Sequence, residues 1–208
     1  MKQKLGLENW NRKEHFLFFK QMEEPFFGIT TTIDCTKAYQ KAKDLKVSFF
    51  SYYLHKTMVA VNQTENFRYR ISNDEVYIFD QIDASATIMR DDKTFGFSYI
   101  EYHENLDVFA QNTKTEIARI QTTTGLFTTE FAHENLIHFS ALPWVNFTSF
   151  SHARSFSYPD SCPKISFGKM VDNNGIKQMS MSVHVHHGLV DGYHVGQFLK
   201  IFQNAMNQ

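Results

Sequence analysis

Only two cysteines occur in the 208 residues, Cys35 and Cys162, and neither has a second cysteine nearby. That spacing leaves no metal-binding pair and no redox dithiol, and reads as two free thiols in a reducing compartment. No stretch approaches the roughly 18 apolar residues of a membrane-spanning helix. The N-terminal Met1-Lys2-Gln3-Lys4-Leu5-Gly6 leads into Glu8, Asn9 and Arg12 rather than an apolar run, so no secretory signal is read and a cytoplasmic location is expected. Charge of one sign is also lacking, with 21 Lys and Arg against 22 Asp and Glu. Without a sustained basic field, neither a nucleic-acid backbone nor an anionic membrane is an expected partner. No Pro-, Gly- or Ser-rich linker, internal repeat or low-complexity tract divides the chain, which predicts one domain over residues 1–208.

What the chain has in plenty is aromatic: 15% of residues, 21 of them Phe. Core packing takes most of these rings, and the surplus suits apolar pockets or interfaces. Helical spacing of apolar residues predicts helices over 11–22, 36–45, 48–62, about 106–121 and about 193–206, with Ser48 as an N-cap. Strands are predicted over 26–34, 68–71, 76–79, 136–139, 164–170 and 176–185. Turn chemistry at Ser72-Asn73-Asp74, Arg90-Asp91-Asp92-Lys93 and Asp172-Asn173-Asn174-Gly175 predicts three hairpins, the last because Asn-Gly tolerates positive φ. Short turns between interspersed helices and strands imply an α/β two-layer sandwich, its sheet mixed and mostly antiparallel, its helices on one face.

The chemistry-bearing segment is Val183-His184-Val185-His186-His187-Gly188-Leu189-Val190-Asp191-Gly192, where a strand must turn into the last helix. Four of the ten histidines fall within 184–194. On a strand His184 and His186 share one face and His187 takes the other. Imidazole suits zinc, but no local cysteine or familiar zinc spacing accompanies these residues, so no metal is expected. His184 and His194 read as partners of buried backbone groups.

His-His-x-x-x-Asp-Gly, spelled by His186, His187, Asp191 and Gly192, resembles the signature of the CoA-dependent acyltransferases, the chloramphenicol acetyltransferase family among them. The surrounding Gln178 to Phe198 is similar throughout, as is Trp10-Asn11-Arg12-Lys13-Glu14-His15-Phe16. Pro143-Trp144-Val145-Asn146-Phe147-Thr148-Ser149-Phe150, Thr94-Phe95 and Leu126-Phe127 add further matches, so the resemblance covers nearly the whole chain. A condensation domain needs about twice this length, and a lipoyl acyltransferase brings a lipoyl module.

The resemblance implies transfer of acetyl from the cosubstrate acetyl-CoA to a hydroxyl, with no tightly bound cofactor and no acyl-enzyme. An alcohol needs a base, and imidazole is matched to neutral pH. That base is expected to be His187, with one ring nitrogen held by a local hydrogen bond and His186 as supporting structure. Ser149 is the implied oxyanion donor, and Ser166 stands where the family has a water-binding threonine. Asp191 is implied to pair with Arg12 and fix the turn, rather than to act as an acid. Lys46 and Lys169 match lysines near the CoA 3′-phosphate, although Met170 replaces a common adenine-packing tyrosine. Phe95, Phe127 and Phe156 match positions that line the chloramphenicol pocket. Phe97 stands where relatives carry a small residue, so chloramphenicol is expected as a weak substrate. A homotrimer with sites between subunits is implied. Two alternatives stay open: another small alcohol as acceptor, or a silent ligand-binding homologue.

Overall fold

The computed structural model describes residues 1–128, 133–155 and 160–208. Strands β1 (Lys2–Lys4), β3 (Tyr69–Ser72) and β4 (Glu75–Phe79) form a small antiparallel sheet in the order β1-β4-β3. The large sheet runs β2 (Phe26–Asp34), β10 (Ile176–His186), β8 (Lys164–Phe167), β7 (Leu136–Ala141), β5 (Asp83–Met89) and β6 (Phe95–Phe97), with β9 (Val171–Asn173) pairing on β10. Its central pairs β5/β7 and β7/β8 are parallel and the rest antiparallel, so the expected mixed, mostly antiparallel sheet is observed.

Helices α1 (Lys13–Phe19), α2 (Thr36–Asp44), α3 (Phe49–Gln63), α4 (Leu106–Gln121) and α5 (Gly192–Met206) stand close to their predicted spans. Their starts have local causes. Ser48 accepts from Ser51 N at 3.0 Å to open α3, and the Asn105 side chain accepts from Asp107 N and Val108 N to open α4. The first helix starts later than its apolar spacing suggests because Arg12, at its N-cap, has non-helical backbone angles, and it also ends earlier, at Phe19. None of the described helices is long and apolar enough to cross a membrane.

Two hairpins close on two-residue turns whose central residues both have positive φ: Asn73-Asp74 between β3 and β4, and Asn174-Gly175 between β9 and β10. That conformation matches the twist of paired strands. The single strand predicted over 164–170 is in fact two, β8 and β9. Three residues, Gly168 to Met170, lie opposite two on β10, Met179 and Ser180, which is a bulge. A Cβ at Gly168 would sit 2.9 Å from the Val145 carbonyl oxygen, so the break is made by a loop pressing on the strand. The β1 strand, Lys2-Gln3-Lys4, has no apolar alternation and was not anticipated; it forms by pairing with the edge of β4.

The two faces of the large sheet differ in chemistry. On β10 the side chains Met179, Met181, Val183 and Val185 join the core with Phe139 and Phe167. Tyr53 of α3 and Phe202 of α5 pack on those phenylalanines. Burial of this face against the helices supplies the main driving force, at about 25 cal/mol per Å² of apolar surface. The opposite face carries Ser180, Ser182, His184 and His186 on β10, with Lys164 and Ser166 on β8. These polar side chains are buried or nearly so. In register they form rows: Gly28-His184-Lys164-His138-Ser85, and beside it Thr30-Ser182-Ser166-Ser140.

Gly28 belongs to this arrangement because the His184 ring lies over it, where an added Cβ would come within 2.3 Å of Nε2. Gly28→Ala is expected to lower stability by about 1–3 kcal/mol through overpacking. The cost should shrink in a His184→Ala background. Denaturant titration of the four proteins checks this, and an equal cost in both backgrounds would contradict the contact.

Candidate active site

The turn after β10 is fixed from several sides. Leu189 N and Val190 N both donate to His186 O, at 2.9 and 3.0 Å, and Asn66 Nδ2 donates to Leu189 O at 2.9 Å. Asp191 caps α5: its Oδ1 accepts from Tyr193 N at 3.0 Å, while its own N–H donates to His194 Nδ1 at 3.2 Å. The remaining oxygen, Oδ2, meets Arg12 Nη1 at 2.6 Å, and Arg12 Nη2 donates to His187 O at 2.9 Å. One buried guanidinium thereby ties the helix cap to the backbone of His187. Burial works to raise the Asp191 pKa, but the Arg12 hydrogen bond and nearby positive charge hold it below the ordinary aspartate value.

His187 is half-buried, and its N–H donates to Pro25 O at 2.8 Å. Its ring stacks on Phe19 at 4.0 Å with 6° between planes, and Phe27 meets it at 4.6 Å and 45°. Nδ1 is buried and has no hydrogen-bond partner among the described residues. The expected tautomer-selecting hydrogen bond is therefore absent there. The His187 carbonyl accepts from Arg12, and the ring is held by two aromatic neighbours.

His186 is buried on the polar sheet face, where Nδ1 accepts from Gly188 N at 3.1 Å and the ring meets Phe26 edge-on at 5.7 Å. Burial, with the Arg154 charge adding, pushes its pKa down to about 4. The sheet separates His186 and His187 as the alternation requires.

Ser149 lies exposed in the loop between β7 and β8, and no described hydrogen bond engages its hydroxyl. The loop itself is pinned. Leu142 N donates to Phe167 O at 2.8 Å, Ser180 Oγ to Asn146 Oδ1 at 2.8 Å, and the His184 ring bonds to the Phe150 backbone. His152 meets His184 edge-on at 4.8 Å. Ser166 is fully buried on β8, and its hydroxyl has no partner among the described residues. Its register neighbour Ser140, half-buried on β7, was not picked out in the sequence. The signal available was the alternation of Ser180-Ser182-His184-His186 along a strand whose other face is Met and Val, since a buried polar face is unusual.

Phe97 joins Phe95 and Phe127, with ring centroids 5.6 Å apart in each case. Phe95 and Phe127 are exposed, and Phe156 lies outside the described residues. Lys46 is exposed after α2 with φ 56°, and Lys169 is exposed at the bulge between β8 and β9. Neither is in an ion pair among the described residues. The two cysteines are free; Cys35 is buried, and burial pushes its thiol pKa up to about 12.

Comparison with known proteins places this geometry. Residues 2–203 match the chloramphenicol acetyltransferase family. Chloramphenicol acetyltransferase 3 of Escherichia coli is 31% identical over 98% of this chain and 96% of its own length. The Proteus mirabilis chloramphenicol acetyltransferase is 29% identical over 98% and 94%. A solved chloramphenicol acetyltransferase superposes with a TM-score of 0.90 at 32% identity, covering 99% of this chain and all of its own. The dihydrolipoamide acetyltransferase of Azotobacter vinelandii, at 12% identity, shares the fold with a TM-score of 0.68 over 94% and 86%.

The depressed His186 pKa makes stability pH-dependent. The unfolded histidine takes a proton below about 6.5 and the folded one only near 4, so protons favour the unfolded chain across that window. Stability is expected to fall as pH drops from 6.5 to 4, by up to about 1.4 kcal/mol per unit from this residue. His186→Asn should flatten that slope in denaturant titrations at successive pH values; an unchanged slope would exclude His186 as its source.

Proposed function

Since the chain belongs to the chloramphenicol acetyltransferase family, we propose that this acyltransferase moves the acetyl group of acetyl-CoA to the primary 3-hydroxyl of chloramphenicol in one general-base step. The observation that carries the reading is the His187 ring, clamped between Phe19 and Phe27 on a turn locked by Arg12 and Asp191. Because Nδ1 is buried, Nε2 is the nitrogen that takes the hydroxyl proton. The freed alkoxide attacks the thioester carbonyl, a tetrahedral oxyanion forms, and its collapse expels CoA thiolate, which leaves with the proton. No covalent enzyme intermediate is needed.

The oxyanion needs a donor, worth about 3 kcal/mol in a site that excludes water. Family resemblance assigns Ser149. A second candidate is Ser140, favoured by its rigid strand and by Ser166 directly across from it. Ser166 would hold a water beside the intermediate through its unpartnered, buried hydroxyl. Lys46 and Lys169, exposed and outside any described ion pair, suit the 3′-phosphate of CoA. Asp191 acts through position, holding Arg12 and the turn. A homotrimer with shared sites is supported by large exposed rings at Phe18, Phe127, Trp144 and Tyr193, more than an isolated chain needs at its surface. The reaction belongs to the cytoplasm, where acetyl-CoA is made and used.

His187→Ala is expected to lower turnover by about 10²- to 10⁴-fold with the fold intact, read by CoA release and circular dichroism. Near-normal activity would remove His187 as base. Of Ser140→Ala and Ser149→Ala, the variant lacking the true donor should lose about 10² in kcat with acetyl-CoA affinity little changed. Loss in neither would remove both.

Phe97 packs with Phe95 and Phe127 where relatives carry a small residue, and its ring would fill space the drug needs, at a typical overpacking cost of about 1–3 kcal/mol. Chloramphenicol should therefore be acetylated with a raised KM that Phe97→Ala lowers. Failure of both proteins at millimolar drug would mean a different acceptor, and an active monomer by light scattering would remove the trimer.

A further inference from the structure

A cavity of about 880 Å³ opens beside the polar sheet face, and Phe97 forms part of its wall. Its lining carries charge that a neutral aromatic drug does not call for. Arg70, Arg154 and Lys164 all line it, and Arg70 and Lys164 are only 3% and 5% exposed. The side chain of Arg154 is 9% exposed. Three buried cations on one cavity need matching negative charge, because an uncompensated buried ion is costly.

Among the described residues the wall does not supply it in full. Asp160 serves both Lys164, at 2.5 Å, and Arg154, at 3.9 Å. Arg154 also pairs with Glu24, a half-exposed side chain away from the cavity lining. Glu134 at the rim is taken by Lys2 at 2.6 Å, and Asp74 by Lys20 at 3.5 Å. Arg70 meets no carboxylate among the described residues; it donates to the carbonyls of Phe67, Tyr69 and Leu136, and its Nε is unpartnered.

The cations also lie close to the polar face of the sheet. Arg154 and Lys164 both sit over the Phe26 ring, at 3.6 and 4.7 Å, and Phe26 packs on His186. Lys164 is two residues from Ser166 on β8, and in register it stands between His184 and His138. The His138 and Lys164 part of the cavity wall is one row along β7 and β8 from Ser140 and Ser166, so the cavity sets its positive wall beside the hydroxyl row.

We propose that this cavity takes an acceptor alcohol bearing a carboxylate, the anion lying against Arg154 and Lys164 with Arg70 adding charge from behind. The inference rests on the acetyl-transfer reading and deepens it by naming the acceptor class. Chloramphenicol, which is neutral, then uses the cavity without satisfying its charge.

Matched primary alcohols test this: 4-methylbenzyl alcohol, 4-(hydroxymethyl)benzoate and 4-(aminomethyl)benzyl alcohol, each assayed with acetyl-CoA by thiol release. The carboxylate should exceed the neutral alcohol in kcat/KM by about tenfold, and the ammonium compound should fall below both. Asp160→Asn should widen the carboxylate's lead, a gain that misfolding does not mimic, and Arg154→Met should narrow it. Equal rates for the three alcohols, or a preference for the ammonium compound, would overturn the proposal. If no alcohol, chloramphenicol included, is acetylated, the acetyl-transfer reading fails instead. Calorimetry of 4-(hydroxymethyl)benzoate binding to the wild type then decides the cavity's charge preference separately: binding stronger than that of 4-methylbenzyl alcohol supports it, and equal or weaker binding overturns it.

Discussion

The contact on which the site depends is Arg12 with Asp191. Residues 179 positions apart in the chain meet through a buried guanidinium that spends one nitrogen on the helix cap and the other on the His187 carbonyl. The geometry makes the N-terminal segment and the C-terminal helix one mechanical unit. Phe19, on the helix that Arg12 opens, stacks on the very ring whose backbone Arg12 holds. A lysine in place of Arg12 would provide a point charge but not two directed donors, so it would reach the carboxylate or the carbonyl and leave the other unmet.

The second organising constraint is the sheet's division into an apolar face under the helices and a polar face under loops. Beta-strand alternation makes the division possible on one continuous strand, β10, so core packing and site chemistry share a backbone. Core side chains at Met181, Val183 and Val185 fix the register, and the register in turn fixes which hydroxyls and imidazoles stand side by side. A slip of one residue would exchange the two faces.

Much of this was legible in the sequence where the information is local. Helix α3 follows from apolar spacing and the Ser48 cap, helix α4 from apolar spacing, and the His186-to-Gly192 turn is contiguous, so its residues announce themselves together. The rest is set by contacts between distant segments. Nothing around residue 168 signals that the Val145 carbonyl will break a strand, and Lys2-Gln3-Lys4 pairs only because β4 offers an edge. Arg70, Arg154 and Lys164 come from three separate elements, and each alone reads as an ordinary surface cation. Ser149 was matched by its neighbours in the chain, whereas Ser140 gains its interest only from the strand beside it.

The fully buried hydroxyl of Ser166, without a partner among the described residues, sets stability against function at one position. An apolar side chain of similar size would remove an unmet polar group from the middle of the sheet and pack against its neighbours more favourably. Selection for thermal robustness alone would therefore drive residue 166 toward valine or alanine, and a hydroxyl at this position marks a pressure other than folding. Laboratory evolution run without an activity screen would erode the site from that strand outward while the protein grew more robust.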